Sequence, residues 1–361
     1  MKDLIPKFVK DIEYNDRKDK ICEFNKKNRW NKRGIAISIM KYPLLYFDTT
    51  TAYVFVYHDD GTVGVIHSGV EIGQGLNTKV TQVAAHTLGI PHTFVKVGST
   101  DTIIGANCAV TGGSVASEII CFTVMKACEE IMRRLQPLRD ANKDAQWTDL
   151  TKEAYKNQIG LSVAHTAKAT DLKPYDVLGL SCAEIEVDLL TGNLLVHRVD
   201  ILEDAGLSLN PLIDVGQVEG AFVMGMSYWL TEALIYDRMN GELMTNRTWT
   251  NKPLGAKDIP IDFRVTLLQN SINSVFVLGS KGSSVSYTNQ MKSYTNKFKT
   301  LAVGEPALTM SVVVNFALRN ALESARRDAG ITNDPWFRMP SPSTPEVIAL
   351  CAGHSTDAFT L

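Results

Sequence analysis

The chain has 361 residues, 45% hydrophobic and 21% charged, enough apolar material for a large core and for two or three units of roughly 100–200 residues each. Lys and Arg number 37 against 39 Asp and Glu, a formal net charge of -2 with a pI near 6.4, which gives no electrostatic footprint for nucleic acid or an anionic membrane. No apolar run approaches the roughly 20 residues of a membrane span, and the six cysteines (Cys22, Cys108, Cys121, Cys128, Cys182, Cys351) include no C-x-x-C pair, so free thiols in a cytoplasmic setting are the expectation.

Within residues 1–34, Leu4, Ile5, Phe8, Val9 and Ile12 form a helical stripe followed by charged turns that end at Arg33-Gly34, an element that reads as cut from an upstream domain. A first lobe is expected over 35–160. It contains an antiparallel hairpin, YVFVYH and TVGVIHSG around the turn Asp59-Asp60-Gly61. Apolar residues at helical spacing predict a helix over 76–88, stopped by Gly89 and Pro91. TFVKV reads as a strand, and a longer helix is predicted over 115–135 with Thr111 or Ser114 as its cap. The polar stretch 147–174 reads as a connection between lobes.

The second lobe, 161–361, starts with another hairpin, CAEIEVDL and LLVHRVDIL around Thr191-Gly192-Asn193. Asn210-Pro211 opens a helix that turns Val215, Phe222, Met226 and Trp229 inward. Its glycines at 216, 220 and 225 cost about 1 kcal/mol each unless a neighbour approaches closely. After the strand IDFRVTLL, one last long helix is expected from Pro306 to near Gly330. The fold class is α+β: mixed sheets and hairpins packed with long helices in two lobes.

Neither a P-loop, a G-x-G-x-x-G turn nor an H-E-x-x-H pair is present, and the seven histidines are dispersed, so a protein-held metal is not expected. Two glycine turns, GVEIGQG at 69–75 and TGGS at 111–114, stand directly before predicted helices. Free amides and the helix dipole can hold an anion such as phosphate there, although ordinary tight turns explain the same spacing. In LAVGEPAL, Glu305 lies between a glycine and Pro306 in an apolar run. Pro306 at the first helical position puts the acid just outside the helix, either as a cap or as a base poised between dipole and burial.

In this order, SGVEIGQGLNTKVTQVAA, NCAVTGGSVASEI, DVGQVEGAFVMGMSYWLTEAL, GAKDIPIDFRV and AVGEPAL resemble the C-terminal part of the molybdenum-binding region of the xanthine dehydrogenase and aldehyde oxidase family, from about Lys7 to Leu361. The resemblance implies the two-lobed C-terminal half of that region, with a molybdenum-molybdopterin cofactor that itself carries the metal. Gly73, Gln74, Gly75, Thr111, Gly112, Gly113 and Ser114 match the loops that hold the pterin and its phosphate, and Gln217 matches a glutamine near the dithiolene end. Glu305 matches the catalytic general base, which takes a proton as water-derived oxygen attacks an electron-poor carbon.

The implied substrate is a small aldehyde or N-heterocycle, and the implied partner a second copy in a homodimer. NRTWTNKPLGAKDIPIDFRV is more similar to insect-type aldehyde oxidases, which convert aldehydes to carboxylic acids; a xanthine or purine hydroxylase and a non-catalytic relative are the alternatives. Complete relatives carry FAD and 2Fe–2S clusters in upstream domains that this sequence lacks. Alone, it is therefore expected to be inactive: a fragment, a truncated gene model or a degenerate copy. Residues 282–301, GSSVSYTNQMKSYTNKFKTL, stand where relatives run straight into AVGEP. Their imperfect repeat, SYTNQMK then SYTNKFK, reads as an insertion or retained intron forming an exposed polar loop.

Overall fold

The computed structural model describes residues 2–47, 49–103, 105, 107–108, 110–204, 208–247, 249–268, 304–331 and 336–353. The expected insertion at 282–301 lies outside the described residues. In chain order the elements are α1 (Leu4–Asp11), α2 (Tyr14–Lys27), β1 (Asn31–Leu44), β2 (Thr49–Val56), β3 (Val63–His67), α3 (Leu76–Leu88), β4 (Val95–Val97), α4 (Ala116–Ala141), α5 (Trp147–Lys156) and β5 (Ser162–Lys168). They continue with β6 (Tyr175–Asp188), β7 (Leu194–Glu203), α6 (Pro211–Leu230), β8 (Asp262–Leu267), α7 (Gly304–Met310), α8 (Val313–Asp328) and α9 (Pro345–Cys351).

Two four-stranded mixed sheets organise the chain, one in the order β4-β3-β2-β5 and the other β1-β6-β7-β8. Both expected hairpins form, with Val54 facing Val65 in the first and Ala183 facing Val199 in the second. Helices α3 and α4 bury Leu76, Val80, Val83, Ile120, Val124 and Ile131 against the first sheet. Helices α6, α7 and α8 bury Val218, Phe222, Met226, Met310, Val314 and Leu318 against the second.

The sheets do not follow the expected divisions at 34/35 and 160/161. Strand β1 starts at Asn31 and pairs over its whole length with β6, from Asn31 opposite Asp188 to Leu44 opposite Tyr175. Strand β5 starts at Ser162 yet pairs with β2 on the other sheet. The chain thus exchanges strands between lobes, because strand pairing is non-local and leaves no compositional mark. The stretch 147–174, expected to be a plain connection, holds α5 and β5. Residues 14–27, expected to be charged turns, form α2, whose Arg17 is buried against Glu184 and Asp200 at 2.8 Å each. The last helix is broken at Ser311 and Val312 instead of running unbroken from Pro306.

Close approach accounts for one of the three glycines of α6. A Cβ at Gly225 would lie 2.1 Å from Ser311 Oγ and 2.7 Å from the Leu308 carbonyl, while Gly216 and Gly220 have nothing within 4 Å. Val215 and Trp229, expected inside, are only half-buried, and Val218 and Leu230 take the core positions. Among the described residues, no helix is long and apolar enough to cross a membrane.

Candidate functional site

The turn before α3 folds around an acid that sequence reasoning did not single out. Glu71 Oε1 accepts the Gly73 and Gly75 N–H groups at 3.0 and 2.9 Å, and its Oε2 accepts the Asn77 N–H at 2.9 Å. The amides expected to be free for an external anion are therefore held by an internal carboxylate. Gln74 closes on its own loop: Oε1 accepts the Ile72 N–H and Nε2 donates to the Val70 carbonyl, both at 2.7 Å. Gly73 and Gly75 adopt φ of +105° and +75°, a region that favours glycine.

The same turn is tied to the TGGS segment, since Thr111 Oγ1 accepts the Val70 N–H at 3.0 Å. Gly113 and Ser114 both have positive φ, 67° and 57°, which turns the backbone sharply into α4. Neither Thr111 nor Ser114 caps that helix: the residue at its N-cap is Val115, with no side-chain bond. The N–H groups of Gly112, Gly113 and Ser114 make no hydrogen bond to any described residue. They stand at the positive end of a 26-residue helix, the local arrangement that receives an anionic group.

Ser114 has another partner. Its Oγ accepts the backbone N–H of Glu305 at 3.2 Å, which docks the start of α7 onto the TGGS turn. Glu305 lies within the first turn of α7, not just outside it, because the helix begins at Gly304. The hydroxyl of Tyr42, on β1, donates to Glu305 Oε2. Burial, and then the Glu305 carboxylate, push the Tyr42 phenol well above its ordinary range.

From the second lobe, α6 starts as expected, with the Asn210 side chain accepting the Ile213 N–H at 3.3 Å. Ile213 then packs over Gly75, and Gln217 Nε2 donates to the Gly73 carbonyl at 3.3 Å. Hydrogen bonds joined through the two turns therefore link Gln217 to Gly73, Val70 to Thr111, Ser114 to Glu305 and Glu305 to Tyr42. All nine residues anticipated for the site lie along these links or directly on the turns.

Beneath this surface the two lobes bury charge. Lys79 of α3 is 2% exposed, its Nζ donating to Ser117 Oγ at 3.4 Å, and desolvation lowers its pKa against the pull of Asp214. Asp214 of α6 is fully buried beside the Ser208 hydroxyl, and burial raises it to about 6. Glu118 of α4 accepts the Tyr175 hydroxyl at 3.0 Å and is raised by burial to about 7.

The missed residues had a partial signal. Lys79 shares a helical face with Leu76 and Val83, and Asp214 shares one with Val218 and Phe222, so each is a charge written onto an apolar stripe. Tyr42 had none, because its partner lies 263 residues away.

With a cofactor of pterin and phosphate, this geometry is compatible. The amides of Gly112, Gly113 and Ser114 offer a phosphate cradle, Gln217 keeps its Oε1 available, and Glu305 Oε1 has no bond to a described residue. Gln74 would have to release its own loop to take part.

Comparison with known proteins supports the class of cofactor. A family model described as molybdopterin cofactor-binding domain matches residues 7–260. Xanthine dehydrogenase/oxidase of Gallus gallus is 39% identical over 362 residues, covering 96% of this chain and 25% of that protein. Aldehyde oxidase 4 of Rattus norvegicus is 35% identical over 357 residues, with coverages of 94% and 25%. The chain thus spans about a quarter of the length of these relatives. Quinoline 2-oxidoreductase from Pseudomonas putida 86 shares the fold, with a TM-score of 0.77 at 20% identity over 95% of this chain and 44% of that one. Aldehyde oxidoreductase from Desulfovibrio gigas gives 0.69 at 20% identity, covering 94% and 35%.

Proposed function

Because this chain belongs to the xanthine dehydrogenase and aldehyde oxidase family through its molybdopterin cofactor-binding domain, we propose that it forms one wall of the molybdenum site in a longer aldehyde-oxidising hydroxylase. The observation that carries this reading is the docking of Glu305 onto the TGGS turn, its backbone N–H donating to Ser114 Oγ next to amides that donate to no described residue.

When bound, a molybdopterin cofactor supplies the redox-active metal and a water-derived oxygen for the substrate carbon. The remaining work belongs to the protein. Gly112, Gly113 and Ser114 donate backbone N–H groups to the phosphate end, and Gln217 and Gln74 orient the pterin. Glu305 accepts a proton at Oε1 as the new carbon–oxygen bond forms. In such a longer enzyme, FAD and 2Fe–2S groups held outside these residues would supply the outlet for the electrons. The complete enzyme is expected to be a homodimer.

Aldehyde chemistry is favoured by the segment NRTWTNKPLGAKDIPIDFRV. The 39% identity with the Gallus gallus xanthine dehydrogenase/oxidase favours a second reading, hydroxylation of a purine. Steady-state assays of the complete enzyme with aromatic aldehydes against hypoxanthine separate the two. Higher kcat/KM on the aldehydes supports the first, higher kcat/KM on hypoxanthine the second, and turnover of neither class removes both.

A further inference from the structure

We propose that Tyr42 is a positioning residue for Glu305, an assignment that rests on reading Glu305 as the proton acceptor. Tyr42 occupies a rigid place: it stands opposite Val177 in the long β1–β6 ladder and packs, half-buried, on the core beneath α7 and α8. Its hydroxyl donates to Glu305 Oε2. At the other end of the same residue, the Glu305 N–H is held by Ser114 Oγ.

The physical need for such a contact is specific. The terminal torsion of a glutamate side chain is broad and roughly two-fold, so an untethered carboxylate interchanges its oxygens and samples many planes. A general base acts only when one oxygen is held within hydrogen-bond reach of the proton it takes. Tyr42 fixes Oε2 from one side and leaves Oε1, which bonds to no described residue, as the oxygen open to the site. A tyrosine suits this role because its donor sits on a stiff ring and its phenol, pushed up by burial and by Glu305, remains protonated.

Tyr42→Phe keeps the ring and its packing and removes only the donor. In the complete enzyme at matched molybdenum content, kcat is expected to fall about ten-fold or more with KM unchanged, since orientation of the base is lost and substrate binding is not. A second readout needs no cofactor. In the 361-residue chain carrying carbon-13-labelled glutamate, the infrared carboxylate band that disappears in Glu305→Gln should shift in Tyr42→Phe, because a hydrogen-bonded carboxylate absorbs differently from a free one. A drop in kcat together with the band shift supports the assignment; either one unchanged overturns it. Failure of the underlying reading is distinguishable, since Glu305→Gln would then retain its rate whatever the infrared band of Tyr42→Phe does.

Discussion

Gln217 of α6 donates its side-chain amide to the Gly73 carbonyl at 3.3 Å, so a helix packed on one sheet holds the glycine turn that opens a helix packed on the other. The site is a seam between lobes, and its parts are held from both sides. Gln217→Ala removes that cross-lobe bond, worth about 0.5–1.5 kcal/mol, together with the side chain proposed to orient the pterin. The chain should fold with little change in Tm while molybdenum per subunit in the complete enzyme falls several-fold, as counted by mass spectrometry. Full molybdenum content in the variant would remove Gln217 from the site.

The glycines of α6 predict opposite responses to one substitution. Gly225→Ala would drive a methyl group into Ser311 Oγ at 2.1 Å and the Leu308 carbonyl at 2.7 Å, forcing α6 and α7 apart at a cost of about 1–3 kcal/mol. Gly216→Ala and Gly220→Ala meet open space and gain helix propensity, stabilising the 361-residue chain by up to about 1 kcal/mol each. Thermal unfolding of the three variants checks this, and a stabilising Gly225→Ala would contradict the packing described.

Glu203 sits at the end of β7 with no exposure and with neither carboxylate oxygen bonded to a described residue. Burial raises its pKa well above the ordinary value of 4.5, and the neighbouring Asp214 and Asp204 raise it further. A raised folded-state pKa contributes stability that is present below about pH 4.5 and is lost as pH climbs towards the folded-state value, because the unfolded chain ionises first. Asp214, raised from 3.8 to about 6, acts in the same direction. Glu203→Met removes the larger liability. Its stability advantage in denaturant titration should be greater at pH 8 than at pH 5, and an advantage that does not change with pH would show that Glu203 is ionised in the fold.

Local signals were legible and long-range ones were not. The helix over 76–88, the cap at Asn210 and both hairpins follow from periodicity and turn chemistry that operate within a few residues, and they form as the sequence predicts. Helix α2 escaped notice because its sequence, YNDRKDKICEFNKK, is mostly charged and buries only Arg17 and Ile21. The strand exchange through β1 and β5 depends on partners more than 100 residues distant, which no local pattern encodes. At the site, the motifs located the turns, but the acid that fills one of them, Glu71, reads as an ordinary polar residue until the chain is folded.

The most direct test is the rate of Glu305→Gln in the complete enzyme, compared with the unmodified enzyme at equal molybdenum content. Loss of a positioned general base predicts a fall in kcat of at least about 100-fold. A rate within about two-fold of the unmodified enzyme, below the smallest effect expected of a general base, would mean that the Glu305 carboxylate held by Tyr42 is structural and that the proton goes elsewhere.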